Sequence, residues 1–198
     1  MYYIFTFIVS YLIAAMNPAI ILSNKLLKKD IRNLGSKNAG TTNAVRTMGK
    51  GIGALVFILD ILKVVVSYGL ICLIGWIFKE NITPGIKTLY MLASVLGHSY
   101  PVYYSFKGGK GVAVFLMSAI LVDWKMALIC IILGVIVIIV SRMVSLGSIV
   151  GSTLLVILDI FINTNYNFIL LILTVIVVIY NHRENISRIL VGKENKLF

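Results

Sequence analysis

The fold class this sequence predicts is an all-α integral membrane protein, a bundle of seven transmembrane helices with the N-terminus outside and the C-terminus in the cytoplasm. Three observations predict it. Of the 198 residues, 60% are hydrophobic and only 13% charged, with a mean hydropathy of +1.01; a soluble domain has no use for several unbroken apolar runs of membrane-spanning length. Those runs alternate with short polar segments. The basic residues are divided unequally between the two ends of the runs, and lysine and arginine in short loops are what set membrane orientation.

Taken in order, residues 3–22 form the first span, interrupted late by Asn17 and Pro18. Its start carries no Lys or Arg, so it reads as a span and not as a cleaved signal peptide, which needs a basic leader and a small-residue cleavage site. Residues 23–50 are a polar loop holding Lys25, Lys28, Lys29, Arg32, Lys37, Arg46 and Lys50. Residues 52–78 are the second span, 79–87 a turn around Pro84 and Gly85, and 88–106 a third span broken near Gly97 and Pro101. Val112–Val122 is apolar for only 11 residues, too short to cross a ~30 Å hydrocarbon core as a straight helix, and is expected as a tilted or partial helix inside the bundle. Residues 126–140, 144–162 and 168–180 complete the set, separated by Arg142 and by the polar segment 163–167.

Counting Val112–Val122 as a crossing gives seven spans; if the short segments around residues 88–122 were re-entrant, five would remain with the same sidedness. Of the 18 basic residues, 14 then fall inside: seven in the first loop, Lys107 and Lys110, Arg142, and Arg183, Arg188, Lys193 and Lys196 in the tail. Only Lys79, Lys87 and Lys125 fall outside, and Lys63 lies within a span. Residues 1–198 read as one polytopic domain.

The formal net charge of +11 does not point to nucleic acid, because the basic residues fall between apolar spans and no nucleic-acid module can be read. Phospholipid headgroups and acidic substrates suit it better. Cys72 and Cys130 both lie in apolar runs and read as small core residues, without metal or disulfide spacing.

Three polar groupings fall on the inner face. The first contains Gly35, Ser36, Lys37, Asn38, Ala39, Gly40, Thr41, Thr42 and Asn43, followed by Arg46. Hydroxyl and amide groups interleaved with glycine supply donors that can converge on phosphate oxygens, and an arginine can add a bidentate contact; a helix N-cap accounts for one such residue, not for the whole run. The second runs from His98 to Ala113 and places Lys107, Gly108, Gly109, Lys110 and Gly111 together. Glycines let main-chain N–H groups turn toward an anion while lysines add charge, although a basic loop between spans has the same composition. The third holds Asn181, His182, Arg183, Glu184 and Asn185, with His182 and Asn185 three apart and so on one helical face, and Arg188 and Glu194 beyond. Asp60 and Lys63 lie inside the second span, also three apart; charges there cost about 2.5–3.5 kcal/mol each and must pair or face a polar interior. An ion pair locking helices is the expectation, with His98 supporting the loop that follows it.

The order and content of Gly-Ser-Lys-Asn-Ala-Gly-Thr-Thr-Asn, of Gly-His-Ser-Tyr-Pro through Phe-Lys-Gly-Gly-Lys-Gly-Val-Ala, and of His-Arg-Glu-Asn-Ile with its trailing Gly-Lys-Glu closely resemble the bacterial acyl-phosphate-dependent glycerol-3-phosphate acyltransferases, the PlsY family. The likeness runs from the first span to the tail. It implies transfer of a fatty acyl chain from acyl phosphate to the 1-hydroxyl of sn-glycerol 3-phosphate in the bacterial cell membrane, by seven helices with a cytoplasmic site and no metal or cofactor. It also implies that Ser36, Arg46, His182 and Asn185 carry the activity, that residues 107–111 bind glycerol phosphate, and that Glu194 is structural. One local departure is at Thr42, where the family often has a single Thr before Asn43, preceded by a small residue.

The chemistry suits these residues. Acyl phosphate is already activated, so the enzyme chiefly has to hold two anions together, which Lys110, Arg46 and main-chain donors can do. Either His182 or a substrate phosphate serves as base for the attacking hydroxyl, and the cationic surroundings favour neutral imidazole. A transporter of organic phosphates is the competing class, but neither an internal repeat nor paired broken helices can be read, and the polar groupings cluster at one face.

Overall fold

The computed structural model describes residues 1–162 and 165–196, and every regular element among them is helical. Ten α-helices follow one another: α1 (Tyr2–Ala15), α2 (Pro18–Leu27), α3 (Thr41–Met48), α4 (Lys50–Ile77), α5 (Pro84–Ser99), α6 (Val112–Val122), α7 (Trp124–Ser141), α8 (Val144–Phe161), α9 (Phe168–Asn181) and α10 (Arg183–Leu190). Asn163 and Thr164, part of the expected polar linker, lie outside the described residues.

The centre of the bundle is α5, which packs against α1, α6 and α9. Eleven of its 16 residues are buried. It begins at Pro84 and not at Thr88, because Thr83 caps it, accepting from the Ile86 N–H at 3.3 Å, and Pro at the first helical position has the right φ and no N–H to lose. It ends at Ser99, not Phe106, since the residue before Pro101 is driven out of the helical region. Gly97 lets α1 approach closely: a Cβ there would lie 2.2 Å from the Tyr11 carbonyl oxygen. Around this centre, Tyr90, Met91, Val95, Val114, Phe115, Leu171 and Val175 form the main apolar core.

Among the described residues, four stretches are long and apolar enough to cross a membrane: Tyr2–Leu27, α4, α7 and α8. The pair α9 and α10, bent by 58°, makes a fifth if taken together. Length and composition therefore support four to five crossings among the described residues, and the seven expected would need α5, α6 and α9 to cross as short helices. At 1.5 Å per residue α5 is about 24 Å long and α6 about 16 Å, short of the ~30 Å core. The first span breaks at Asn17, whose side chain caps α2 by accepting from Ile20 N–H at 3.1 Å. The first loop is less loop than expected: α2 continues to Leu27 and α3 occupies Thr41–Met48.

Candidate active site

The segment after α5 doubles back over the helix end that precedes it. Gly108 N–H donates to the Ser99 carbonyl at 3.0 Å and Gly109 N–H to the His98 carbonyl at 3.2 Å. Glycine is required by space: a Cβ on Gly108 would meet the His98 carbonyl oxygen at 2.0 Å, and one on Gly109 would meet His98 Nε2 at 2.3 Å and the Ala39 carbonyl oxygen at 2.6 Å. The second grouping is thus threaded between α5 and the first. Lys107 stays exposed, while Lys110 turns inward and is largely shielded. Burial, with the Arg188 cation nearby, pushes the Lys110 ammonium down to about 8.

Asn43 organises the first grouping. Its buried Oδ1 accepts from Ser36 N–H at 2.9 Å, and Nδ2 reaches the carbonyls of Leu34 at 2.9 Å, Asn38 at 3.0 Å and Ile31 at 3.3 Å. Expected on a phosphate, the Asn43 amide is instead committed to folding the loop that presents Ser36. Asn17 secures the same loop from α2, its Nδ2 donating to Ala39 O at 3.1 Å. Gly40 caps α3 without a side-chain bond. Ser36 and Arg46 are exposed, Asn38 and Thr41 partly so.

The third grouping sits where α9 ends and α10 turns away, so His182 and Asn185 flank a break and do not share one continuous helix face; both are nevertheless buried. His182 Nδ1 lies 2.8 Å from the Val178 carbonyl, which can only accept, so a neutral imidazole carries its lone pair on Nε2. Asn185 is held from two sides: Lys110 Nζ donates to its Oδ1, and its Nδ2 donates to Glu194 Oε1 at 2.6 Å. Glu194 also accepts from Ser145 Oγ of α8 at 2.8 Å and from Arg188 Nε at 2.8 Å. Burial raises the Glu194 carboxyl, but the bonds from Asn185, Ser145 and Arg188 outweigh it and hold the group below its usual range.

Beneath the glycine loop, Asp60 and Lys63 form the expected buried pair at 2.8 Å. Lys63 also donates to Met16 O at 2.9 Å, in the break between α1 and α2, and approaches His98 Nδ1 at 3.1 Å; Asp60 Oδ1 is 3.3 Å from that nitrogen. The ammonium thus meets a carboxylate and a main-chain carbonyl, and the cluster ties α4 to the break after α1 and to α5.

Ala39 meets Gly109, and Lys110 meets Asn185, so the three groupings form one surface. Each supplies a buried polar atom with no hydrogen-bond partner: Thr41 Oγ1, Ser99 Oγ and Asn181 Nδ2. Buried polar atoms are normally paired, and further such atoms, on Thr6, Ser10, Ser94 and Ser118, lie elsewhere among the described residues, so the orphans by themselves do not define a ligand site. Sequence reasoning missed Ser145 and Ser99, and it placed Arg32 only among the basic residues of the loop. Ser99 stood inside the second grouping and was readable; Ser145, on a distant apolar helix, carried no local signal.

The three groupings make a basic, glycine-lined polar surface at the ends of the apolar helices of an integral membrane protein. Residues 4–192 match the model of the family described as glycerol-3-phosphate acyltransferase. The chain is 42% identical to the glycerol-3-phosphate acyltransferase of Thermoanaerobacter pseudethanolicus, over 100% of its own length and 96% of that protein's. It is 38% identical to the enzyme of the same name from Aquifex aeolicus, over 98% of each. Among solved structures it resembles PlsY, an integral membrane glycerol 3-phosphate acyltransferase, in its glycerol 3-phosphate form, with a TM-score of 0.85 and 36% identity over 98% of this chain and 94% of that one. The lysophosphatidic acid form gives a TM-score of 0.82 and 34% identity, with the same coverage. The chain belongs to the glycerol-3-phosphate acyltransferase family.

Proposed function

We propose that this chain, acting as one polytopic unit, transfers a fatty acyl group from acyl phosphate to the 1-hydroxyl of sn-glycerol 3-phosphate, giving 1-acyl-sn-glycerol 3-phosphate and inorganic phosphate. The hydroxyl oxygen bonds to the acyl carbon, the carbon–oxygen bond to the departing phosphate breaks, and the hydroxyl proton goes to a phosphate oxygen. The observation that carries this reading is the junction of the three polar groupings through Lys110 and Asn185. Lys110, Arg46 and the N–H groups of Lys110 and Gly111 bind the phosphates, those of Lys107, Gly108 and Gly109 being taken up in folding the loop, with Lys107 adding charge at the rim. Ser36, Asn38, Gly40 and Thr41 donate to the acyl phosphate, while His182 and Asn185 orient the acceptor. Asn185 supports positioning, since both ends of its amide are held by other side chains.

Seven crossings, with α5, α6 and α9 counted as short ones, would put this surface on the cytoplasmic side of a bacterial inner membrane, where the 14-to-3 division of basic residues directs it. Acyl phosphate and the product would then exchange with the adjacent leaflet. Purified protein given palmitoyl phosphate and glycerol 3-phosphate should release phosphate and form lysophosphatidate together; liposome uptake of glycerol phosphate without product would mark a carrier instead. Cysteines placed at the exposed positions Ser36, Lys107 and Glu184 should all react with an impermeant reagent from the cytoplasmic side. Reaction from opposite faces would end the proposal.

A further inference from the structure

Two consecutive residues without glycine's freedom, Ser105 and Phe106, adopt left-handed backbone at φ +55° and +56°, immediately before Lys107. Such conformations persist only where the surroundings impose them. Part of the imposition is local: Phe106 N–H donates to Pro101 O at 3.0 Å and Lys107 N–H to Tyr104 O at 3.2 Å. The rest comes from the first loop. Arg32 Nη1 donates to the Tyr104 carbonyl at 2.8 Å and to the Lys107 carbonyl at 2.9 Å, one on each side of the left-handed pair. The other edge of the guanidinium is fixed by Asp30: Nε lies 3.0 Å from both carboxylate oxygens and Nη2 2.7 Å from Oδ2. Asp30 is itself anchored, since it caps the turn Ile31–Asn33 by accepting from Arg32 N–H at 2.8 Å.

We infer that Arg32 is a positioning residue for the reaction: clamped by Asp30, it staples the 104–107 turn and so fixes the path of the loop from Lys107 to Gly111 and where the Lys107 and Lys110 charges stand. The inference rests on the reading that this loop holds the phosphate of glycerol 3-phosphate. A planar fork is needed, because one group must serve two carbonyls and a carboxylate at once; a lysine ammonium carries the charge without the fixed geometry. The side chain is 26% exposed and lies outside the spanning helices, so replacing it leaves the core untouched.

The test uses the full chain in membranes, titrating glycerol 3-phosphate at saturating palmitoyl phosphate. Arg32→Ala should raise KM for glycerol 3-phosphate roughly tenfold, the loss of two charge-assisted hydrogen bonds at a partly solvated site, with a smaller change in kcat and an unchanged melting temperature. Arg32→Lys should recover only part of that loss. Adding Ser105→Gly to Arg32→Ala should lower KM again, because glycine takes a positive φ without a steric penalty and the turn then needs less holding; an arginine that merely stabilised the fold would show no such rescue. Lys110→Met is the reference. If it raises KM while Arg32→Ala does not, the clamp is refuted and the loop reading stands. Should Lys110→Met leave KM unchanged, the loop reading itself falls, and the clamp with it.

Discussion

Glu194→Gln is the substitution that probes the site most directly through a residue expected to touch no substrate. The carboxylate is an acceptor only and the Lys110 ammonium a donor only, and the Asn185 amide stands between them. That arrangement allows a single orientation of the amide: oxygen toward Lys110, nitrogen toward Glu194. Glutamine keeps the shape but replaces one oxygen by an NH₂ group, so one of the donors from Asn185, Ser145 or Arg188 must face another donor. A hydrogen bond to a charged group contributes about 1.5–3 kcal/mol. Because the Arg188 side chain is 35% exposed although the carboxylate is only 4% exposed, screening brings the loss toward the lower end, about 1.5 kcal/mol. If Asn185 transmits that loss to the bound acceptor, kcat/KM for glycerol 3-phosphate should fall roughly tenfold. Phosphate release from palmitoyl phosphate, measured against glycerol 3-phosphate concentration at matched amounts of membrane-inserted protein, reads this directly. A Glu194→Gln protein with the parental kcat/KM would refute the idea that the amide's orientation matters.

Three further outcomes are expected. Lys110 is charged below about pH 8 and neutral above it, so kcat/KM for glycerol 3-phosphate should decline as pH rises through that value, and Lys110→Arg should abolish the decline because guanidinium keeps its charge. Asp60→Asn leaves the Lys63 ammonium buried without its counter-ion, at a cost of about 3–5 kcal/mol; the yield of folded protein should drop, and Asp60→Asn with Lys63→Met together should recover it. Gly109→Ala forces a Cβ to within 2.3 Å of His98 Nε2 and 2.6 Å of Ala39 O and should abolish turnover, whereas Gly69→Ala, with nothing within 4 Å, should melt no lower than the parent.

The three polar groupings were legible because each is a local run of residue types that apolar helices do not otherwise contain, and the Asp60–Lys63 pair because a buried charge needs a partner. Val112–Val122 was legible to the residue, bounded by Gly111 and Asp123. The start of α5 is encoded in Thr83-Pro84, a cap followed by a first-turn proline, but Pro84-Gly85 carries an equally strong turn signal. Helix α3 was hidden in the polar loop: Thr41, Thr42, Val45 and Thr47 are β-branched and favour other conformations, and its partner surface on α4 is supplied by tertiary packing. No pattern in the chain announces that Ser145 meets Glu194, 49 residues away, or that Arg32 meets Lys107, 75 residues away. Such contacts depend on how the helices pack, which sequence spacing does not encode.

A site that must gather two phosphorylated reactants faces a conflict: its cations need holding in place, yet any carboxylate that holds them also cancels the charge the substrates require. The arrangement here resolves it largely with neutral acceptors. Lys110 is steered by an amide oxygen and the glycine loop by helix-end carbonyls of His98 and Ser99. Breaks in the helices supply similar groups, since a helix that stops leaves carbonyls without intrahelical donors: Met16 O, at the break after α1, receives Lys63. Carboxylates are kept one step back, with Asp60 under the loop, Asp30 behind Arg32 and Glu194 behind Asn185. Lys110 is therefore oriented without a carboxylate in direct contact to neutralise it. The broken helices and the cationic chemistry are on this account a single solution, because an unbroken bundle of apolar helices would offer neither the acceptors nor the turns that carry the glycine loop.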